Sequence, residues 1–589
     1  MKKNSTLSRR HFLQGASSAL VLSNIPLAHA QSASNEHATR KAPTVLTGNQ
    51  FDLNIGYQDV NYSGKKTIAT TVNGMLPGPT LRWKEGERVR LRVTNHLQED
   101  SSIHWHGIVL PSTMDGSPGF DFAGIKPGES FEYEFDVKQS GTYWYHSHSG
   151  FQEQTGLLGA IIIDPKDPDP IIYDREFVIL LSDWTDTPPS KIYSRLKKMS
   201  HYYNYRERTV VDTLADIKTK GVANTWNDRA MWNQMRMSDT DIADVTGYTY
   251  LINGFTSTEH WTALCKPGEK VRLRIINGAA MSIFDVRIPG LKMTVVAADG
   301  QAIQPIEVDE FRMGTAETYD VIVMLDANKA HTFFAQTIDR TGFVCATLTT
   351  NAALRAEVPS VDEAPTLSHK DMGMAGMDHS QHNASDHSQH QTNISVTDHS
   401  GHNMNAMDHS GHDMSAMDHS KHDMSAMDHS MHDMSTMDHS AHATNLAKAG
   451  FGSNFDSGSK TKHASTEIGP QVDMQSEMPA SGLNDPGVGL REHMEKYNRR
   501  VLRYADLRSL HPTYDKREPT REIELHLTGN MHRYMWSING QSFTGASPIE
   551  FTFGERIRII LVNDTMMTHP IHLHGMWSEL ETGDPDFIP

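Results

Sequence analysis

The chain has 589 residues, a formal net charge of −18 and 37% hydrophobic residues. The length predicts three or four domains, the acidic balance excludes a basic nucleic-acid footprint, and two cysteines exclude a disulfide-rich scaffold or a thiolate zinc cluster. The 34 histidines and 31 methionines exceed the needs of a core or a surface; imidazole and thioether together are copper ligands, the thioether favouring Cu(I).

The N-terminus carries Arg9-Arg10, an apolar stretch through Leu27, and Ala28-His29-Ala30. This pattern predicts a twin-arginine export signal over 1–30 and a periplasmic mature protein. No later stretch has the ~18 consecutive apolar residues of a membrane span. In an oxidising compartment Cys265 and Cys345 could pair, and the sequence leaves that open.

Further on, one segment occurs three times. Gly86–Asn95 recurs as Gly268–Asn277 and Gly554–Asn563, each after an Asn-Gly at Asn73, Asn253 and Asn539. In the first copy Val89, Leu91 and Val93 alternate with Arg88, Arg90 and Arg92, the period of a half-buried strand. Residues 131–137 and 319–325 read as further strands. Short strands at this spacing predict an all-β protein of three antiparallel β-sandwich domains over 43–170, 171–351 and 501–589. The first two copies lie 182 residues apart and the last two 286, so the excess of 104 marks an insert, placed at 352–500.

Nine residues after the first copy stand His104-Trp105-His106, and nine after the third stand His572-Leu573-His574. The second copy has Val286-Arg287-Ile288 there. A His-x-His on a strand turns both imidazoles to one face, so two pairs on equivalent domains can meet across an interface. The first domain adds His146-Ser147-His148, where the second has Ala335 and Thr337. Six histidines in pairs without thiolates fit a polynuclear copper site better than zinc.

From Asp398 the insert repeats a ten-residue unit with two histidines and usually two methionines; the candidate ligands are His399, His402 and Met404; His409, His412 and Met414; His419, His422 and Met424; His429, His432 and Met434. The segment has too few aromatic and β-branched residues to fold alone. Its composition predicts a disordered, multivalent copper-binding tether.

His104-Trp-His-Gly, His146-Ser-His and His569-Pro-Ile-His572-Leu-His574-Gly resemble three of the four copper motifs of multicopper oxidases, and the export signal and repeats resemble the periplasmic copper-resistance branch. The resemblance implies cupredoxin-like domains and four copper ions at type 1, type 2 and type 3 sites. His104 and His572 would be type 2 ligands; His106, His146, His148 and His574 type 3 ligands; His569 a type 1 ligand. Asp115, in Met114-Asp115-Gly116, resembles the acid that handles protons near the cluster, although Asp-Gly is also a common turn. The implied reaction oxidises Cu(I), and phenolic donors, with O2 reduced to water. Its partners are copper ions, O2 and other periplasmic copper-handling proteins, with no nucleic acid and no membrane span; a monomer is expected. The fourth motif, His-Cys-His followed by His and Met, is absent. The repeat spacing puts it about 25 residues beyond Pro589, so a C-terminally truncated piece with an incomplete third sandwich is expected. For a chain that ended there, the alternative is copper sequestration without turnover.

Overall fold

The computed structural model describes residues 42–234, 236–368, 371, 463–476, 483–511, 515, 517–565 and 567–581. The export signal and the repeat ligands from His399 to Met434 lie outside the described residues.

Strand Arg88–Asn95 has the alternation its sequence predicts: Val89, Leu91 and Val93 are fully buried while Arg88, Arg90 and Arg92 are exposed. Each such burial contributes about 1.5–3 kcal/mol. The strand sits in a four-stranded sheet ordered Lys66–Val72, Gln50–Asn61, Arg88–Asn95, Ser130–Asp136. The second sheet of this domain runs Val45–Thr47, Thr80–Lys84, Leu158–Asp164, Gly141–His146, His104–His106. Trp83, Trp105, Tyr133, Phe135 and Tyr145 fill the space between them. The His104–His106 strand lies at the sheet's edge.

The second domain repeats the plan with a six-stranded and a five-stranded sheet, and the third shows three strands, Met535–Ile538, Arg521–Asn530 and Ile557–Asn563. The all-β, cupredoxin-like architecture is thus as expected, but the sheets are mixed. Gln50–Ile55 runs parallel to Arg90–Asn95, and the same parallel pairing joins Arg175 through Leu181 to Val271 through Asn277 and Arg521 through Leu527 to Ile557 through Asn563. Parallel strands need a crossover rather than a hairpin, and alternation of residues does not reveal which of the two joins a pair.

Two features depart further from the sequence reading. Strand Lys270–Asn277 is buried on both faces, because its outward side packs on the first domain. There Arg274 donates to Thr142 Oγ1 at 2.9 Å and Arg272 to Asp169 Oδ2 at 2.8 Å. Between Arg175–Trp184 and Thr249–Ile252 the chain also forms three helices, Pro189–Leu196, Val210–Lys220 and Val222–Gln234. Thr209 and Asp212 start the second by exchanging side-chain-to-backbone hydrogen bonds.

The insert assigned to 352–500 needs correction at both ends. Asp362 pairs with Arg287 at 2.9 Å and Arg499 at 2.8 Å. Asp473 N donates to Gly529 O at 2.9 Å, and Ser476 N to Asp564 Oδ1 at 2.7 Å. These flanks cannot build a core of their own; they are ordered by the domains they pack on. Cys265 and Cys345 are buried free thiols, so the pairing left open by the sequence is not made.

Candidate metal centre

The first two histidine pairs lie on neighbouring antiparallel strands, in register His104↔His146 and His106↔Trp144. Alternation puts His104 and His106 on one face, and the register sets His146 and Trp144 across from them. His148 follows just beyond the strand end. The equivalent register in the second domain is Val286↔Ala335, so that domain has the geometry without the ligands.

The third domain brings His572 and His574 onto this face. The His104 and His574 rings stack with centroids 4.2 Å apart, and those of His106 and His572 at 3.8 Å. His148 lies 4.8 Å from His104 and 5.0 Å from His574. The ligating nitrogens of His104, His106 and His146 lie within 4.8 Å of one another, as do those of His104, His572 and His574. All six histidines singled out in the sequence therefore converge, with His104 common to both groups. His569 stands apart, its ring 4.4 Å from Trp536.

His572 and His574 were expected on a strand, yet among the described residues no strand pairs with them. Cross-domain contacts fix them instead. Trp577 Nε1 donates to Gly107 O at 3.0 Å, and His574 Nδ1 meets Asp115 Oδ2 at 2.9 Å.

Hydrogen bonds to acceptors set the tautomers. His104 Nδ1 faces the carbonyl oxygen of Asp115 at 2.9 Å. A carbonyl can only accept, so Nδ1 carries the proton and Nε2 keeps its lone pair. His146 Nδ1 faces Ser147 O at 3.2 Å, and the Asp115 carboxylate does the same for His574. Ser117 Oγ also donates to Asp115 Oδ2 at 2.6 Å. Gly116 lets this loop approach: its φ is +79°, and a Cβ there would lie 1.8 Å from Ile103 O.

Burial drives the His104 pKa down, and burial with the neighbouring His572 and His146 holds His106 well below its ordinary value. Partial burial and the surrounding imidazoles push His572 down to about 3 and His148 to about 2. Burial raises the Asp115 carboxyl, but hydrogen bonds from His104, His574 and Ser117 outweigh it and hold the group well below the carboxylate range. At neutral pH, then, these shifted histidines are uncharged donors and Asp115 is an acceptor.

These residues fit copper. His104 Nε2 is buried without a hydrogen-bond partner among the described residues, although such an orphan costs about 1–3 kcal/mol. Its ring lies among five other imidazoles, the surroundings a metal would require. Sequence reasoning missed Ser117 and Trp144. Trp144 stacks on His146 at 4.1 Å; its place two residues before His146, on the same face of one strand, was the available signal.

Family models described as multicopper oxidase match residues 54–168, 175–356 and 516–587. Copper resistance protein A of Escherichia coli is 50% identical, over 99% of this chain and 91% of the relative. Copper resistance protein A of Pseudomonas syringae pv. tomato is 53% identical, over 99% and 92%. Multicopper oxidase MmcO of Mycobacterium tuberculosis is 26% identical, over 93% and 78%. The solved structure of Fet3p, a multicopper oxidase that functions in iron import, aligns with a TM-score of 0.43 at 23% identity, over 54% of this chain and 55% of its own.

Proposed function

The chain belongs to the multicopper oxidase family, in its copper-resistance branch, and from that premise we propose that it oxidises Cu(I) to Cu(II) in the periplasm. Four Cu(I) ions give one electron each, and O2 takes four electrons and four protons to become two waters. The observation that carries this reading is the convergence of five imidazoles on that of His104, whose Nε2 is orphaned.

Bound copper supplies electron acceptance at a type 1 site and O2 reduction at a trinuclear type 2 and type 3 centre. The protein's part is to hold and orient. His104 and His572 are assigned to type 2 copper, His106, His146, His148 and His574 to the type 3 pair, and His569 to type 1. Asp115 is a positioning residue: its carboxylate fixes the proton on His574 Nδ1 and its carbonyl fixes the proton on His104 Nδ1. A cavity lined by Asp244, Met281, Met567 and Thr568 adjoins His569 in sequence, and its thioethers suit entry of Cu(I). Arg9-Arg10 supports export by the twin-arginine route.

A second reading rests on the units from Asp398 to Met434: they gather copper whether or not turnover follows. Oxygen uptake separates the two readings. The protein purified from its native host and loaded with copper should consume one O2 per four Cu(I) added. Cu(I) retained without O2 uptake overturns the oxidase reading and leaves sequestration.

A further inference from the structure

A second histidine cluster joins the third domain to the 463–476 segment and shares no residue with the first. His526 comes from strand Arg521–Asn530, and Asp564 directly follows strand Ile557–Asn563. His463 and Glu467 come from the 463–476 segment, through which the chain returns from the repeat region. Glu467, His526 and Asp564 are each about 98% buried or more. The four ligand atoms lie within 4.8 Å of one another.

His463 Nδ1 lies 2.7 Å from Glu467 Oε2 and 3.9 Å from Asp564 Oδ2. His526 Nδ1 lies 2.7 Å from Asp564 Oδ2 and 3.7 Å from Glu467 Oε2. A tetrahedral ion with bonds of roughly 2.0–2.2 Å has ligand atoms about 3.3–3.6 Å apart, and these separations bracket that spacing. Each remaining ring nitrogen is anchored outside the cluster. His463 Nε2 faces Ser476 O at 3.1 Å and His526 Nε2 faces Glu524 Oε1 at 2.8 Å. A metal-bound histidine has this arrangement, one nitrogen on the ion and the other donating to a carbonyl or carboxylate.

A second buried group, Glu310, Asp362 and His493, shows the contrast. Arg287 and Arg499 neutralise it, so it is complete as an ion-pair network. Among the described residues, the ion pairs of Glu467 and Asp564 are with His463 and His526 alone.

We propose that His463, Glu467, His526 and Asp564 form a closed binding site for a divalent ion of the zinc class, separate from the six-histidine centre. Two imidazoles and two carboxylates with no thioether disfavour Cu(I), and four protein ligands leave no open position for substrate. The ion fastens the returning 463–476 segment to the strand that leads into His569, His572 and His574.

The test uses full-length protein stripped of metal, given Zn2+ and dialysed. Glu467→Gln and His463→Ala should each retain one zinc ion fewer than the wild type. With Co2+ as the probe, both should lose the intense visible absorption of a tetrahedral site. Equal zinc counts and equal cobalt spectra overturn the proposal. Should both variants misfold by circular dichroism, wild-type crystals grown with ZnCl2 decide: an anomalous difference peak at the zinc edge among the four side chains supports the site, and its absence overturns it.

Discussion

The imidazole of His104, from an edge strand of the first domain, stacks on that of His574, from the third, with centroids 4.2 Å apart and planes inclined by 27°. The same His104 belongs to both three-imidazole groups. His104→Ala should therefore lower copper content and O2 uptake together, by more than the ~10–100-fold typical of outer partners. Copper analysis beside an oxygen electrode checks this; unchanged copper content would place the site elsewhere.

Asp115→Asn should leave the fold intact and weaken copper binding about 10–100-fold. The carboxylate accepts from His574 Nδ1 and Ser117 Oγ, and an amide at that position can turn a donor toward them. Competition with a chromophoric Cu(I) chelator reads the affinity, with Ser117→Ala expected to have a smaller effect of the same sign.

Acid should act on the metal-free protein in one direction. His148 and His572 are lowered to about 2 and about 3, while an unfolded histidine titrates near ~6.5. Between roughly pH 6.5 and 3 the unfolded chain thus binds more protons than the folded one, so stability is full above that window and falls as pH falls through it. The melting temperature measured from pH 7 to pH 4 should drop steadily; a flat profile contradicts the shifts.

Gly116 and Gly119 make a matched pair. Both have positive φ, but a Cβ at Gly116 would meet Ile103 O at 1.8 Å while one at Gly119 meets nothing within 4 Å. Gly119→Ala should cost about 1 kcal/mol of backbone strain, and Gly116→Ala more than about 2 kcal/mol, with loss of copper, because the loop behind His104 must move. Urea denaturation and metal analysis of the two variants check the difference.

Met281→Leu and Met567→Leu test the cavity that these two methionines line with Asp244 and Thr568. Both keep the apolar volume and remove a thioether, so KM for Cu(I) should rise several-fold while the copper content of the protein stays constant. An unchanged KM would move the entry point elsewhere.

The strands and the histidine convergence were legible because both follow periodic rules: alternation placed Val89, Leu91 and Val93 inward, and the repeat offset matched His104 to His572. What depends on a distant partner was not legible. Arg272 and Arg274 look like solvent-facing strand residues until the first domain covers them. His463 and Glu467 sit in a stretch poor in apolar residues, and nothing local announces that Asp564 and His526 await them. Trp144 lies between these cases, since period two already put it on the histidine face.

That indole reaches further than its own strand. Trp144 lies 4.1 Å from His146 and 5.2 Å from His106, and it packs with Leu158, Ala160, Leu180 and Ile276. Leu180 and Ile276 belong to the second domain, which donates none of the six imidazoles. That domain is therefore a jig for ligands it does not own, holding two imidazoles at their working angle through one aromatic ring. Trimming Leu180 or Ile276 would surface first as detuned copper spectra, and only afterwards as a loss of fold.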